Sequence, residues 1–188
     1  MSVRKAEAVV IGASAGALEA LSVILPALPA GFALPVFVVV HLPPDRKSLL
    51  MEIFQRKCRL PVREAEDKEP ITAGTIYFAP PNYHMLIETD RCLALSSDEP
   101  VRYSRPSVDV LFESAADAYG PALIAIILTG ANPDGADGLR MVELAGGTVI
   151  VQDPAEAPAP EMPAAALAAC PAAEVLPLAG IAAFLLGV

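Results

Sequence analysis

"AVVIGASAGALEAL", residues 8–21, runs from an unbroken apolar stretch through a glycine-flanked serine into apolar residues at helical spacing. A short run without polar alternation, such as 8–11, suits a strand covered on both faces, and the change of period after Ser14 marks a strand handing over to a helix. Similar runs follow at 36–40 and 123–128, with a weaker one at 148–151. Between them lie helix-like segments at 17–28, 46–57, 107–119 and 136–145, the last halted by Gly146-Gly147. Ser107 reads as an N-cap, with Pro106 before it and Val108, Leu111, Phe112 and Ala115 on one face after it. Alternating strands and helices predict a three-layer α/β/α sandwich around a mostly parallel, doubly wound sheet. Runs at 75–78, 84–87 and 92–95 are joined by loops of hairpin length, which predicts an antiparallel meander at one edge of that sheet.

A chain of 188 residues with 54% hydrophobic content has enough material for one core, and no linker or repeat divides it, so a single domain over 1–188 is expected. The net charge of −9 argues against a nucleic-acid partner, which would be held by clustered Lys and Arg. Cys58, Cys92 and Cys170 are scattered and odd in number, as expected of reduced thiols in the cytoplasm rather than a disulfide framework. Glu7 and Glu19 interrupt the apolar N-terminus, so it is not an export signal. Pro171, Glu174 and Pro177 break the apolar C-terminal stretch into pieces shorter than the ~20 residues of a membrane span. Two short buried helices are expected there instead.

In an open parallel sheet, reactive groups gather at the carboxyl ends of the strands. Ser14 follows the first strand, His41 terminates "VFVVVH", and Asp134 lies in "IILTGANPDGADG" after the third long strand. The three could form a hydrolytic triad, with Asp134 orienting His41 and His41 taking the proton of Ser14. The expected geometry puts His41 Nε2 on Ser14 Oγ and Asp134 on the other ring nitrogen. "GASAG" matches G-x-S-x-G, in which the glycines make room for a sharp turn that exposes the serine. Each residue also has a plainer explanation. Small residues after a first strand serve helix packing, a histidine at a strand end is often only a satisfied polar group, and aspartate before glycine is ordinary turn chemistry. Asp137 competes for the third role but falls in the first turn of the next helix, where the helix dipole accounts for a carboxylate. His84, the other histidine, lies in the predicted meander and reads as structural or as part of the rim. A dinucleotide site would need G-x-G-x-x-G and an acid about 20 residues on. Here Ser14 replaces the middle glycine and His41 stands where the acid belongs. No cofactor is implied, and two distant histidines without clustered carboxylates or cysteines give no metal-ligand spacing.

The segments "VVIGASAGALEAL", "VFVVVHLPPD", "TIYFAPPNYHMLI", "RPSVDVLFESAA", "IILTGANPDGADGL" and "GGTVIVQDP", in that order, resemble the catalytic domain of CheB-type chemotaxis protein-glutamate methylesterases. The resemblance implies an α/β/α serine esterase that demethylates glutamate methyl esters on methyl-accepting chemotaxis receptors, releases methanol and, in many members, deamidates receptor glutamines. It assigns Ser14 as nucleophile, His41 as base and Asp134 as orienting acid. Arg105, Pro106 and Ser107 would shape the cleft, and backbone N–H groups near Ala15 or Ala131 would hold the oxyanion. Arg46, Lys47, Arg102 and Arg105 are candidates to contact acidic neighbours of the target glutamate. No membrane insertion is expected.

Several positions depart from the pattern. S-T-G-G after the nucleophile is "SAGA", with Ala15 and Ala17 in place of the second and fourth residues. T-G-M-G-x-D-G reads Thr129-Gly130-Ala131-Asn132-Pro133-Asp134-Gly135, in which Asn132-Pro133 alters the freedom of the loop. Of the G-M-P that usually ends the substrate-side segment, only Met162-Pro163 is kept. The phospho-receiver domain that precedes the catalytic domain in many members has no counterpart, so the expectation is a stand-alone esterase or a piece of a longer protein. A non-catalytic regulatory domain of the same fold is the alternative. A nucleotide-binding domain using Gly12 and Gly16 is a second, which NAD(P) titration separates.

Overall fold

The computed structural model describes residues 5–41 and 48–188. β1 (Ala8–Ala13) leads into α1 (Ala17–Ile24), which a short 3-10 turn extends over Leu25–Ala27. Next come β2 (Val36–Val40), α2 (Leu50–Lys57), β3 (Val62–Glu64) and β4 (Ile76–Phe78). The hairpin strands β5 (His84–Ile87) and β6 (Leu93–Ser96) precede α3 (Val108–Tyr119) and β7 (Leu123–Ile127). α4 (Ala136–Leu144), β8 (Thr148–Gln152), α5 (Glu161–Ala169), β9 (Glu174–Leu176) and α6 (Leu178–Leu186) complete the order. The start of the helix expected over 46–57 lies outside the described residues.

Seven strands form one sheet in the order β3-β4-β2-β1-β7-β8-β9, every pairing parallel. The chain builds outward from β1 through β2 on one side, then returns to β1's other flank with β7. β1 is therefore the strand at which the winding reverses, where an open α/β sheet places its ligand crevice. Its six residues are buried and face two cores in alternation. Ala8 and Val10 join Leu111, Phe112 and Leu139 from α3 and α4, while Val9, Ile11 and Ala13 join Leu21, Ile24, Phe54 and Ile181 from α1, α2 and α6. Burial on both faces is the reason these strands read as continuous apolar runs.

The antiparallel element differs in detail from the expected meander. β5 and β6 pair antiparallel as a separate two-stranded sheet, with Met85, Ile87 and Leu93 buried in the same core as α3. β4, expected as the third meander strand, pairs parallel with both β2 and β3 inside the main sheet. β3 and β9, absent from the sequence reading, are three-residue edge strands. β9 separates the two C-terminal helices, as the prolines around it suggest. Among the described residues, no helix is long and apolar enough to cross a membrane.

Candidate active site

β1 and β2 end side by side. Ala13 pairs with Val40, so Ser14 and His41 are the next residues on neighbouring strands, and His41 N–H donates to Ala13 C=O at 3.3 Å. Asp134 follows β7, the strand on β1's other flank. The turn after β1 is clamped to the end of β7: Ser14 N–H donates to Thr129 C=O (2.9 Å), and Thr129 Oγ1–H donates to Ala15 C=O (2.9 Å). Gly16 caps α1 at φ 82°, a left-handed conformation that costs a residue with a side chain. Gly12 has a different role from the one expected. A Cβ there would lie 2.3 Å from Val108 Cγ1, so Gly12 admits the first residue of α3 against β1 rather than shaping the serine turn.

That approach brings the N-terminus of α3 to Asp134. The Asp134 carboxylate is fully buried and accepts four hydrogen bonds. Oδ1 takes Ser107 Oγ–H (2.8 Å) and Asp109 N–H (3.1 Å); Oδ2 takes Val108 N–H (2.7 Å) and His41 Nε2–H (2.6 Å). Burial by itself would raise the Asp134 pKa, but the hydrogen bonds from His41, Val108 and Asp109 outweigh it and hold the group below the ordinary carboxylate value. Asp134 is therefore an anion well suited to stabilising an imidazolium. Asp137 is not on the ring. It is exposed on α4 and pairs with Arg102.

The ring of His41 is turned the other way from the expected arrangement. Nε2 faces Asp134, and Nδ1 faces Asn132 Nδ2 at 3.0 Å. Asn132 Oδ1 is occupied by Asp134 N–H (3.1 Å), which fixes the amide with its NH2 toward His41. An NH2 group only donates, so Nδ1 accepts and the ring proton sits on Nε2. Nδ1 is thus the basic nitrogen. Ser14 is half-buried at the neighbouring strand end, and among the described residues its Oγ has no hydrogen-bond partner. His41 keeps 11% of its side-chain exposure while Asp134 keeps none, so the imidazole meets solvent and the carboxylate behind it does not.

The sequence model of the CheB methylesterase family matches residues 9–185. The chain belongs to the CheB methylesterase family. It is 46% identical over 176 residues to a putative protein-glutamate methylesterase/protein-glutamine glutaminase of Leptospira interrogans, covering 94% of this chain and 91% of that one. A Rhodospirillum rubrum protein-glutamate methylesterase/protein-glutamine glutaminase is 39% identical over 185 residues, covering 95% of this chain but 47% of its own length. The Thermotoga maritima CheB methylesterase catalytic domain superposes with a TM-score of 0.93 at 34% identity, covering 97% and 98% of the two chains.

The residues that the CheB family pattern puts around the cleft lie close in sequence to this centre, but their side chains are not all directed into it. Ser107 is at the acid, both as N-cap of α3 and as donor to Asp134. Ala15 and Ala131 are exposed on the two loops that flank Ser14 and Asp134. Arg105 points away, donating to Asn82 Oδ1 and to the carbonyls of Ser97 and Asp98, so it braces the segment before α3. Arg102 is paired with Asp109 and Asp137. Neither arginine is free for an incoming carboxylate, and Arg46 and Lys47 lie outside the described residues. Met162 covers Gly130 so closely that a Cβ there would meet its side chain at 2.7 Å, and Met162 N–H donates to Gly130 C=O (2.9 Å).

Asn132 and Asp109 escaped the sequence reading, while His84 was read as structural or as part of the rim. Asn132 was legible only as a turn residue. Asp109 was not singled out, yet it is buried and accepts Gly135 N–H (3.0 Å) and Gly138 N–H (2.7 Å). Burial pushes its pKa up to about 6, opposed by the Gly138 N–H and reinforced by the charge of Asp134. His84 is buried under the site, accepting Ser107 N–H at Nδ1 (3.1 Å) with Nε2 on Glu99 C=O (3.0 Å).

Proposed function

We propose that this chain is a cytoplasmic serine hydrolase that demethylates glutamate methyl esters on methyl-accepting chemotaxis receptors. Ser14 Oγ attacks the ester carbonyl while its proton passes to His41 Nδ1. Asp134, holding Nε2–H, stabilises the imidazolium. Backbone N–H groups near Ala15 or Ala131 hold the developing oxyanion. His41 returns the proton to the leaving oxygen, methanol departs, and water delivered by the same base hydrolyses the acyl-enzyme to free glutamate. A glutamine side chain enters the same acyl-enzyme with loss of ammonia. No cofactor takes part.

The observation that carries this reading is the 2.6 Å contact of His41 with a buried, four-fold hydrogen-bonded Asp134 at the strand end beside Ser14, in a chain of this family. An open sheet rim suits a substrate as large as a receptor helix. The test is methanol released from receptor membranes carrying labelled methyl esters. Release by the wild type and its loss in Ser14→Ala are expected. Equal release by Ser14→Ala, or none by the wild type, would favour a non-catalytic regulatory domain.

A further inference from the structure

We propose that Asn132 is a positioning residue for this reaction, one that holds the base in its resting state by occupying the nitrogen the nucleophile needs. The inference rests on the triad assigned above. A neutral imidazole has one lone pair in the ring plane, on the nitrogen that lacks the proton. Asn132 Nδ2–H takes that lone pair on His41 Nδ1 at 3.0 Å, and Ser14 Oγ–H must take the same one before its proton can move. The two donors compete for a single acceptor.

The amide is not loosely placed. Its Oδ1 closes a turn onto Asp134 N–H, so the residue that occupies the base also braces the backbone of the acid. The same contact selects the tautomer that the reaction uses, with Nε2–H on Asp134 and Nδ1 basic. Asn132 therefore keeps His41 correctly protonated but occupied, and gives way to Ser14 as the ester enters. Ser14 Oγ, unpaired among the described residues, is consistent with a nucleophile waiting for that exchange.

Asn132→Ser separates the two roles. A serine hydroxyl can still accept from Asp134 N–H two residues on, but it is too short to reach His41. The readout is the rate at which a fluorophosphonate labels Ser14, which reports the nucleophile whatever its natural substrate, with methanol release followed in parallel. Labelling of Asn132→Ser should be about five-fold faster than wild type, the ratio that corresponds to losing one competing neutral hydrogen bond. In histidine-labelled protein, the ¹⁵N resonance of His41 Nδ1 should move toward that of an unbonded lone pair. A rate equal to or below wild type, in a folded variant whose Nδ1 resonance has moved, overturns the proposal. An unmoved resonance overturns it as well. Labelling of wild-type Ser14 without methanol release would remove the receptor ester as substrate and leave the Asn132 contact standing. Absence of labelling in both proteins would remove Ser14 as the nucleophile and with it the competition for Nδ1, overturning the proposal together with the triad.

Discussion

Asp134 and Asp109 cap each other's helices. Asp134, in the loop before α4, accepts the Val108 and Asp109 N–H groups at the start of α3 (2.7 and 3.1 Å). Asp109, in the first turn of α3, accepts Gly135 and Gly138 N–H at the start of α4 (3.0 and 2.7 Å). Each carboxylate satisfies backbone donors that a helix start leaves free, and each sits at the positive end of the other's helix dipole. Asp134, the acid of the proposed triad, is thereby held by the start of α3 while Asp109 ties that start to α4.

Asp134→Asn is expected to abolish turnover without unfolding the protein. Whichever way the amide turns, an NH2 meets two of the four donors now on the carboxylate. Turned toward His41, it drives the ring proton from Nε2 to Nδ1, leaving no base for Ser14. A fall in kcat of about 10⁴-fold follows from the wrong tautomer. The donors left unpaired cost about 1–3 kcal/mol each in urea denaturation. Methanol release near the wild-type rate would show that Asp134 does not set the tautomer.

The pH dependence of stability should carry the mark of Asp109. Its pKa is about 6 in the folded protein against an ordinary value of 3.8. The unfolded chain therefore loses its proton first, and stability falls as pH rises from 3.8 to about 6. Asp134, lowered rather than raised, acts in the opposite sense and only in acid, adding stability above 3.8 that is lost as pH drops below it. Asp109→Asn keeps an acceptor for Gly135 and Gly138 but has no proton to exchange. The Tm of the wild type relative to this variant should therefore fall as pH rises from 3.8 to about 6, measured by thermal denaturation across that range. A difference in Tm that stays constant would show that Asp109 titrates alike in the folded and unfolded chains.

His84 is expected to matter through its acceptor nitrogen. Replacing it with Leu leaves the buried Ser107 N–H unpaired, a loss of about 1–3 kcal/mol. In His84→Asn, Oδ1 lies near the position of Nδ1 and recovers most of that loss. Urea titrations of the two variants compare them directly, and equal stabilities would mean that the Ser107 contact contributes little.

Gly12→Ala should destabilise the protein by about 1–3 kcal/mol and reduce activity, because its methyl group displaces Val108, whose N–H holds Asp134. At Gly31 an added methyl group would have nothing within 4 Å, and φ lies outside the left-handed region. Gly31→Ala is expected to be neutral or to stabilise by up to about 1 kcal/mol through the unfolded chain. Thermal denaturation of both checks the contrast.

The central strands were readable because their burial is written locally. β2 spans the residues of its apolar run, and β7 falls short of its run by a single residue. β3 and β9 were not readable, because a three-residue edge strand with exposed positions carries no periodic signal. Ile76–Phe78 looked like its neighbours in the hairpin, and only its partners, β2 and β3, place it in the parallel sheet.

The candidate site divides along the same line. That Ser14 and His41 stand at strand ends was determined by the sequence alone, since each is the first polar residue after an apolar run, and Asp134 was legible as part of the loop that follows the run at 123–128. The orientation of the His41 ring, the burial of Asp109 and the contact of Asn132 with the base were decided by the tertiary structure. Each depends on where α3 and the loop before α4 settle against β1. That placement is set by packing between distant segments, with Val108 lying against Gly12, and not by any local pattern. "AVVIGASAGALEAL" specified a strand, a turn and a serine; the partners that would make the serine reactive come from elsewhere in the chain.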